Sequence, residues 1–279
     1  MIARISSLFI WAGLAIVVIA WVPLLWVIKT FDRDPVRYRT GHWFRRCGVA
    51  MTYVNPFWRI KVSGVKIDDP RRPYIVVGNH QSMADIPLIS HLPWEMKWVA
   101  KIELFRTPIV GWMMTWVKDI SVDRQAKDRR VKTLKQCMYF LKNQCSVMFF
   151  PEGTRTKNGK VGKFNDGAFA LAVKMKVPII PLVVDGSYDC IPTKSWVFNK
   201  GVQNVKLEVL PPIDTSTFKR NQTEELRDLV RNQIIGKIAE WRNVDPSEID
   251  GLAGRAKAVE APKEDLSQAS AAQVEEKVG

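Results

Sequence analysis

One segment carries most of the chemical potential of this chain: Gly78-Asn79-His80-Gln81-Ser82-Met83-Ala84-Asp85, directly after the β-rich run Tyr74–Val77. On a regular helix, five residues turn about 500°, leaving the side chains of His80 and Asp85 some 140° apart. The two meet only if His80 sits in the turn after the strand and Asp85 in the first turn of the next helix. In that arrangement the carboxylate accepts from one imidazole nitrogen, fixes the tautomer and leaves the other nitrogen free to take a proton. That is a base and its orienter, suited to activating a hydroxyl. The bland alternative has Asp85 capping the helix and His80 in a surface turn. Ser82 as a nucleophile is disfavoured: no Gly-x-Ser-x-Gly turn surrounds it, and it shares its turn with His80.

A second block, Phe150-Pro151-Glu152-Gly153-Thr154-Arg155-Thr156, follows the apolar run Ser146–Phe150. Gly153 permits a tight backbone path beside a ligand. Arg155 presents a planar fork of donors that matches a phosphate. Lys157, Lys160 and Lys163 follow closely, so a cationic loop adjoins the turn; a plain solvated loop has the same composition. Two more cations stand at the ends of short strand candidates, Arg124 after Ile120-Ser121-Val122-Asp123 and Lys101 after Trp98-Val99-Ala100. The run Val177–Val184, apolar and broken by Pro178 and Pro181, is structural, either the wall of an apolar site or a core strand.

These residues need a frame to position them, and the pattern supplies one. Strand candidates at Trp58–Val65, Tyr74–Val77, Lys97–Ala100, Ile120–Val122, Ser146–Phe150, Pro178–Val184 and Val205–Leu210 alternate with helical stretches at Ala84–His91, Ile109–Val117, Lys127–Lys142, Gly167–Met175 and Glu224–Trp241. Such alternation predicts an α/β domain with its ligands beyond the strand ends. The expected catalytic unit runs over 58–243.

Upstream, Ile5 to Ile28 contains no charged side chain. These 24 residues are long enough to cross a hydrocarbon core of about 30 Å. The stretch is too long, and ends too bulkily in Leu24-Leu25-Trp26-Val27-Ile28, for a cleaved signal peptide. Residues 1–30 therefore read as a transmembrane anchor. Only Arg4 precedes the helix, whereas Lys29, Arg33, Arg37, Arg39, Arg45 and Arg46 follow it, which places the following domain on the cytoplasmic face. Residues 31–57 mix those arginines with Trp43, Phe44, Tyr53 and Phe57, as either a basic interfacial helix against anionic headgroups or a surface helix packed on the core. At the other end, residues 244–279 hold four basic and eight acidic side chains and no aromatic ring. That composition predicts a disordered acidic tail.

Composition narrows the function classes. The 279 residues carry 42 Lys+Arg against 28 Asp+Glu, a net charge of +14, and are 47% hydrophobic. A real core is affordable and an anionic partner is implied. Cys47, Cys137, Cys145 and Cys190 form no Cys-x-x-Cys pair, which excludes a zinc ribbon or thioredoxin-type redox site, and three histidines are too few for a histidine-rich metal cluster. The basic residues are spread along the chain with no nucleic-acid-binding module, so a nucleic-acid partner is not expected.

Taken in order, Asn79-His80 to Asp85, Val122-Asp123-Arg124, Phe150 to Arg155 and Val177 to Pro181 resemble the glycerolipid acyltransferase family, and within it the 1-acylglycerol-3-phosphate acyltransferases. The resemblance covers about residues 60–215. It implies a mixed central sheet flanked by helices, and an enzyme of phospholipid biosynthesis that moves a fatty acyl group from acyl-CoA or acyl-carrier protein to a lysophosphatidic acid hydroxyl, making phosphatidic acid without a cofactor or metal. By position it assigns the base to His80, its orienter to Asp85 and acceptor-phosphate contacts to Arg155, Arg124 and Lys101, with Asn79, Glu152, Gly153 and Thr154 completing the motifs. The chain departs from the family pattern at Trp116-Val117-Lys118-Asp119, where a glycine is common, and at Asn165, where a lysine is common. Other lysolipids, glycerol 3-phosphate, or membrane phospholipid binding without turnover are the competing functions. Oligomeric state is not written in the sequence.

Overall fold

The computed structural model describes residues 2–123, 127–191, 196–199 and 201–253. In chain order the elements are α1 (Ile2–Phe31), α2 (Tyr38–Val54), β1 (Trp58–Gly64), β2 (Ile75–Gly78), α3 (Asp85–Ile89), β3 (Met96–Lys101), α4 (Ile102–Phe105), α5 (Val110–Trp116), β4 (Ile120–Val122), α6 (Lys127–Lys142), β5 (Ser146–Phe149), α7 (Gly167–Met175), β6 (Ile179–Asp185), β7 (Gln203–Val209), α8 (Thr223–Arg242) and α9 (Pro246–Ile249). The strands form one seven-stranded sheet, ordered β1-β7-β6-β2-β5-β3-β4. Every pairing is parallel except β6 with β7. The sheet is therefore mixed, as the resemblance implies.

The alternation of side chains along a strand explains the two-sided core. On β2, Ile75 and Val77 face a cluster built with Phe140 and Leu141 of α6, Phe169 and Ala172 of α7 and Val230 and Ile234 of α8. Val76 faces the other way, into a cluster with Leu88 and Ile89 of α3 and the β6 residues Ile180 and Leu182. A strand buried on both faces reads as an unbroken apolar run, which is how 75–77 and 179–184 look in sequence. The chain leaving β2 passes to α3 on one face, and the chain leaving the adjacent β5 passes to α7 on the other. That divergence opens a crevice beyond the carboxyl ends of β2 and β5.

One boundary differs from expectation. Residues 244–253 are folded rather than tail. Asp245 caps α9 by accepting from Ser247 N–H at 2.8 Å, Ile249 is buried, and Asp250 pairs with the buried Arg231. Val161 N–H donates to Ile249 O at 2.9 Å and Gly251 N–H to Val161 O at 3.0 Å. Charge counting missed this because Asp250 is balanced by an arginine on α8. Residues 254–279, the rest of the expected tail, lie outside the described residues.

Residues 31–57 combine the two readings offered for them. One face of α2 packs on the core, burying Thr40, Gly41, Arg45, Cys47 and Thr52, while Arg39, Trp43, Arg46 and Tyr53 remain exposed. Arg45 is thus not a headgroup cation. It joins Glu95, Lys97 and Asp119 in a buried cluster: Lys97 Nζ donates to Glu95 at 2.8 Å and to Val117 O at 2.8 Å, and Arg45 bonds Asp119 at 2.5 Å. Helix α1 is long and apolar enough to span a bilayer. It nevertheless touches the domain along its length. Ser7 Oγ accepts from Phe198 N–H at 2.9 Å, Trp11 Nε1 donates to Trp196 O at 2.8 Å, and Leu25 is buried with Met113 and Val117. Leu8, Phe9, Ile16, Ile19, Trp26 and Phe31 point outward.

Candidate active site

The geometry required of the His80 segment is the one the fold provides. Strand β2 ends at Gly78, a turn carries Asn79 to Ala84, and α3 begins at Asp85. Asn79 fastens the turn to β6, donating to Val184 O at 2.8 Å and accepting from Val184 N–H at 2.9 Å. His80 Nδ1 lies 2.7 Å from Asp85 Oδ2. The same oxygen accepts from the amides of Gln81 at 2.7 Å and Ser82 at 3.0 Å, and Oδ1 accepts from the Ser187 hydroxyl. A carboxylate held by three further donors has little freedom to turn away from the imidazole. Acceptance by Asp85 assigns the ring hydrogen to Nδ1 and leaves the Nε2 lone pair open. The imidazole stacks on Phe150 at 4.0 Å between centroids and 15° between planes, and Trp98 packs against Phe150 at 5.9 Å.

The second motif wraps around the first. Glu152 accepts His80 N–H at 2.9 Å with one oxygen and Gly162 N–H at 2.9 Å with the other, and Thr156 N–H donates to His80 O at 2.9 Å. Both backbone polar groups of His80 are therefore tied to the Glu152–Thr156 turn. Burial raises the Glu152 carboxyl above the ordinary range, against the lowering effect of its two amide donors. Gly153 sits at φ 72, a conformation that favours glycine and lets the turn close.

His80 opens into a cleft of about 280 Å³ lined by Met83, Ile86, Trp98, Leu104 and Phe150, with Lys101 and Arg155 at its exposed rim. Gly153 and Thr154 also line it. A second groove of about 510 Å³ meets the cleft at Val99, Phe150 and Gly153, and runs between Leu134 of α6 and Ala168 of α7. Neither Lys101 nor Arg155 makes an ion pair with any described residue. The structure thus brings together His80, Asp85, Asn79, Glu152, Gly153, Thr154, Arg155 and Lys101. Arg124 lies outside the described residues.

Sequence reasoning missed Ser187 and Gln81. Gln81 accepts from Ser187 N–H at 3.3 Å and donates to Asp185 at 3.2 Å, and Arg242 of α8 donates to Asp185 at 3.1 Å. The signal was Asp185-Gly186-Ser187 at the end of the apolar run read only as structural, a wall or a core strand. Gly186 has φ +80, and a Cβ there would stand 2.1 Å from Asn204 O, so this turn requires glycine.

An imidazole pinned by a buried carboxylate, open on its far side to an apolar cleft with cations at the rim, is an arrangement chemically able to take a proton from a hydroxyl. The Acyltransferase family model matches residues 59–185. The chloroplastic 1-acyl-sn-glycerol-3-phosphate acyltransferase LPAT1 of Arabidopsis thaliana is 34% identical over 209 residues, 74% of this chain and 55% of the relative. The 1-acyl-sn-glycerol-3-phosphate acyltransferase alpha of Mus musculus is 33% identical over 199 residues, 70% of this chain and 67% of the relative. The crystal structure of the 1-acyl-sn-glycerophosphate (LPA) acyltransferase PlsC of Thermotoga maritima superimposes with a TM-score of 0.70 at 28% identity, covering 86% of this chain and 95% of that one. The chain belongs to this acyltransferase family. It spans 55% and 60% of the lengths of the Arabidopsis thaliana and Brassica napus relatives.

Proposed function

We propose that this protein transfers a fatty acyl group from a thioester, acyl-CoA or acyl-carrier protein, to the sn-2 hydroxyl of 1-acylglycerol 3-phosphate, making phosphatidic acid. The observation that carries the reading is the His80–Asp85 pair, 2.7 Å apart, with Nε2 facing the cleft. Nε2 takes the hydroxyl proton as the oxygen attacks the thioester carbonyl; the tetrahedral intermediate then expels the thiolate, which receives that proton. The thiolate is a good leaving group, so neither a covalent enzyme intermediate nor a cofactor is needed. Arg155 and Lys101 at the rim match the acceptor phosphate, and the apolar cleft and groove match its chain and the donor's. The names of the relatives support the same acceptor.

The outward apolar residues of α1, together with exposed Trp43, Tyr53 and Trp112, anchor the domain to a membrane surface in this reading. Docking of α1 on the domain near both Ser7 and Lys29 favours a helix seated beside the domain in the membrane surface over a single-pass crossing. Crossing would carry the polar backbone of Trp196–Phe198 across the hydrocarbon.

The test is acyl transfer by purified, detergent-solubilised protein from labelled acyl-CoA or acyl-carrier protein, offering 1-acylglycerol 3-phosphate beside lysophosphatidylcholine and glycerol 3-phosphate. Phosphatidic acid as the dominant product is expected. Faster turnover of another acceptor would move the assignment, and no product from any pair would leave phospholipid binding without turnover.

A further inference from the structure

Apart from the catalytic cleft, α6 and the turn before β4 line an open pocket of about 450 Å³ formed by Lys118, Lys132, Lys135, Gln136, Tyr139, Phe140 and the buried Asp119. It shares no lining residue with the cleft or its groove. Lys132, Lys135, Gln136 and Tyr139 fall at helical spacings that put them on one face of α6, whereas Thr133 and Leu134 face the groove. All three lysines are exposed, and none pairs with a carboxylate among the described residues. The one acid in the pocket, Asp119, is already engaged by Arg45 at 2.5 Å and by Trp98 N–H at 3.0 Å. Three lysines thus line one pocket with no carboxylate paired to them among the described residues, and an anionic ligand there would supply the missing charge.

Position indicates which anion. Lys118 holds a left-handed backbone, φ 60, and its Nζ donates to Pro35 O at 2.9 Å, in the link between α1 and α2. The pocket is therefore fixed to the chain four residues past Phe31, where the apolar helix ends and where Lys29 lies over the Trp116 ring at 5.1 Å. If α1 lies in a membrane, as proposed above and as this inference requires, the three lysines stand at headgroup depth. Tyr139, exposed and lining the pocket, suits the same boundary.

We propose that Lys118, Lys132 and Lys135 form a second site that binds the phosphate headgroup of an anionic membrane phospholipid, apart from the substrate cleft, and holds the domain on the membrane. The test is flotation of full-length protein with vesicles of phosphatidylcholine alone and of phosphatidylcholine with phosphatidylglycerol. It compares wild type, the K118Q/K132Q/K135Q variant and a charge-matched K61Q/K66Q/K174Q control. Each lysine near an anionic surface contributes roughly fivefold in partitioning, so the pocket variant should lose about tenfold or more of the gain from phosphatidylglycerol, while partitioning onto phosphatidylcholine is unchanged. The control should keep most of the gain. An equal loss in both variants would overturn the proposal in favour of diffuse surface charge, and so would wild type showing no gain. Abolition of the gain by millimolar inorganic phosphate at constant ionic strength would overturn the lipid assignment in favour of a free-phosphate site. Failure of wild type to bind phosphatidylcholine vesicles at all would instead remove the membrane reading of α1, and this inference with it.

Discussion

Two networks of charged side chains are buried about one strand apart, and they differ in what they leave unfinished. Arg45, Glu95, Lys97 and Asp119 pair two cations with two anions. Their contacts tie α2 to β3 and to the start of β4, and their charges cancel within the cluster. The His80–Asp85 network is as well ordered: its carboxylate takes four hydrogen-bond donors. Yet one nitrogen of its terminal ring faces a cleft instead of a partner. Buried charge by itself marks structure; buried charge that ends in an open valence beside a cavity marks chemistry. The two are joined physically, because Arg45 lies 5.2 Å from the Trp98 ring, which packs on the Phe150 under His80.

Mutations should separate the two networks. The largest effect is expected for Asp85→Asn, which leaves the shape intact but favours the wrong imidazole tautomer; turnover should fall by about 10⁴, with thermal unfolding changed far less. A variant still turning over at a tenth of the wild-type rate would place the proton transfer elsewhere. Glu95→Gln should do the reverse. It leaves the fully buried Lys97 uncompensated and should cost about 3–5 kcal/mol of stability by denaturant unfolding, while whatever remains folded keeps its turnover. Intermediate behaviour is expected of Glu152→Gln, since an amide can accept from only one of the His80 and Gly162 amides. Loss of a charge-assisted bond of about 1.5–3 kcal/mol should lower turnover roughly 10–100-fold, and Glu152→Asp should recover part of it.

The smallest effect concerns pH. His91, half-buried and 3.1 Å from Thr52 Oγ1, has its pKa lowered by burial and by Arg46. A histidine depressed in the fold stabilises it fully above the unfolded value of about 6.5, and that contribution is lost as pH falls below it. Melting temperature should therefore drop between pH 7.5 and 5.5, and less so for His91→Gln. Identical slopes for the two proteins would show that His91 does not titrate against folding.

How much of this was legible in sequence depended on how local the determinants were. The strand-turn-helix around His80 lies within eleven residues, Ile75 to Asp85, so its geometry followed from helical angles and an apolar run. The strands were legible for the same reason: two-sided burial leaves continuous β-rich segments. Ser187 was not, because it reaches Asp85 across 102 residues through the pairing of β6 with β2. Arg45 was misread because its flanking residues look interfacial, while its partner Asp119 lies 74 residues on. Lys97, fully buried, stood in the sequence as the first residue of a strand with nothing to signal its carboxylate partner's burial.

The most direct test of the account is the rate of phosphatidic acid formation by His80→Ala beside wild type, at equal concentrations of folded protein and saturating acyl thioester. His80 makes its side-chain bond to Asp85 at the cleft and none to the structural cluster. The account predicts a fall of about 10²–10⁴ in turnover, the usual worth of a general base, with unchanged unfolding. Turnover within a few-fold of wild type would contradict it.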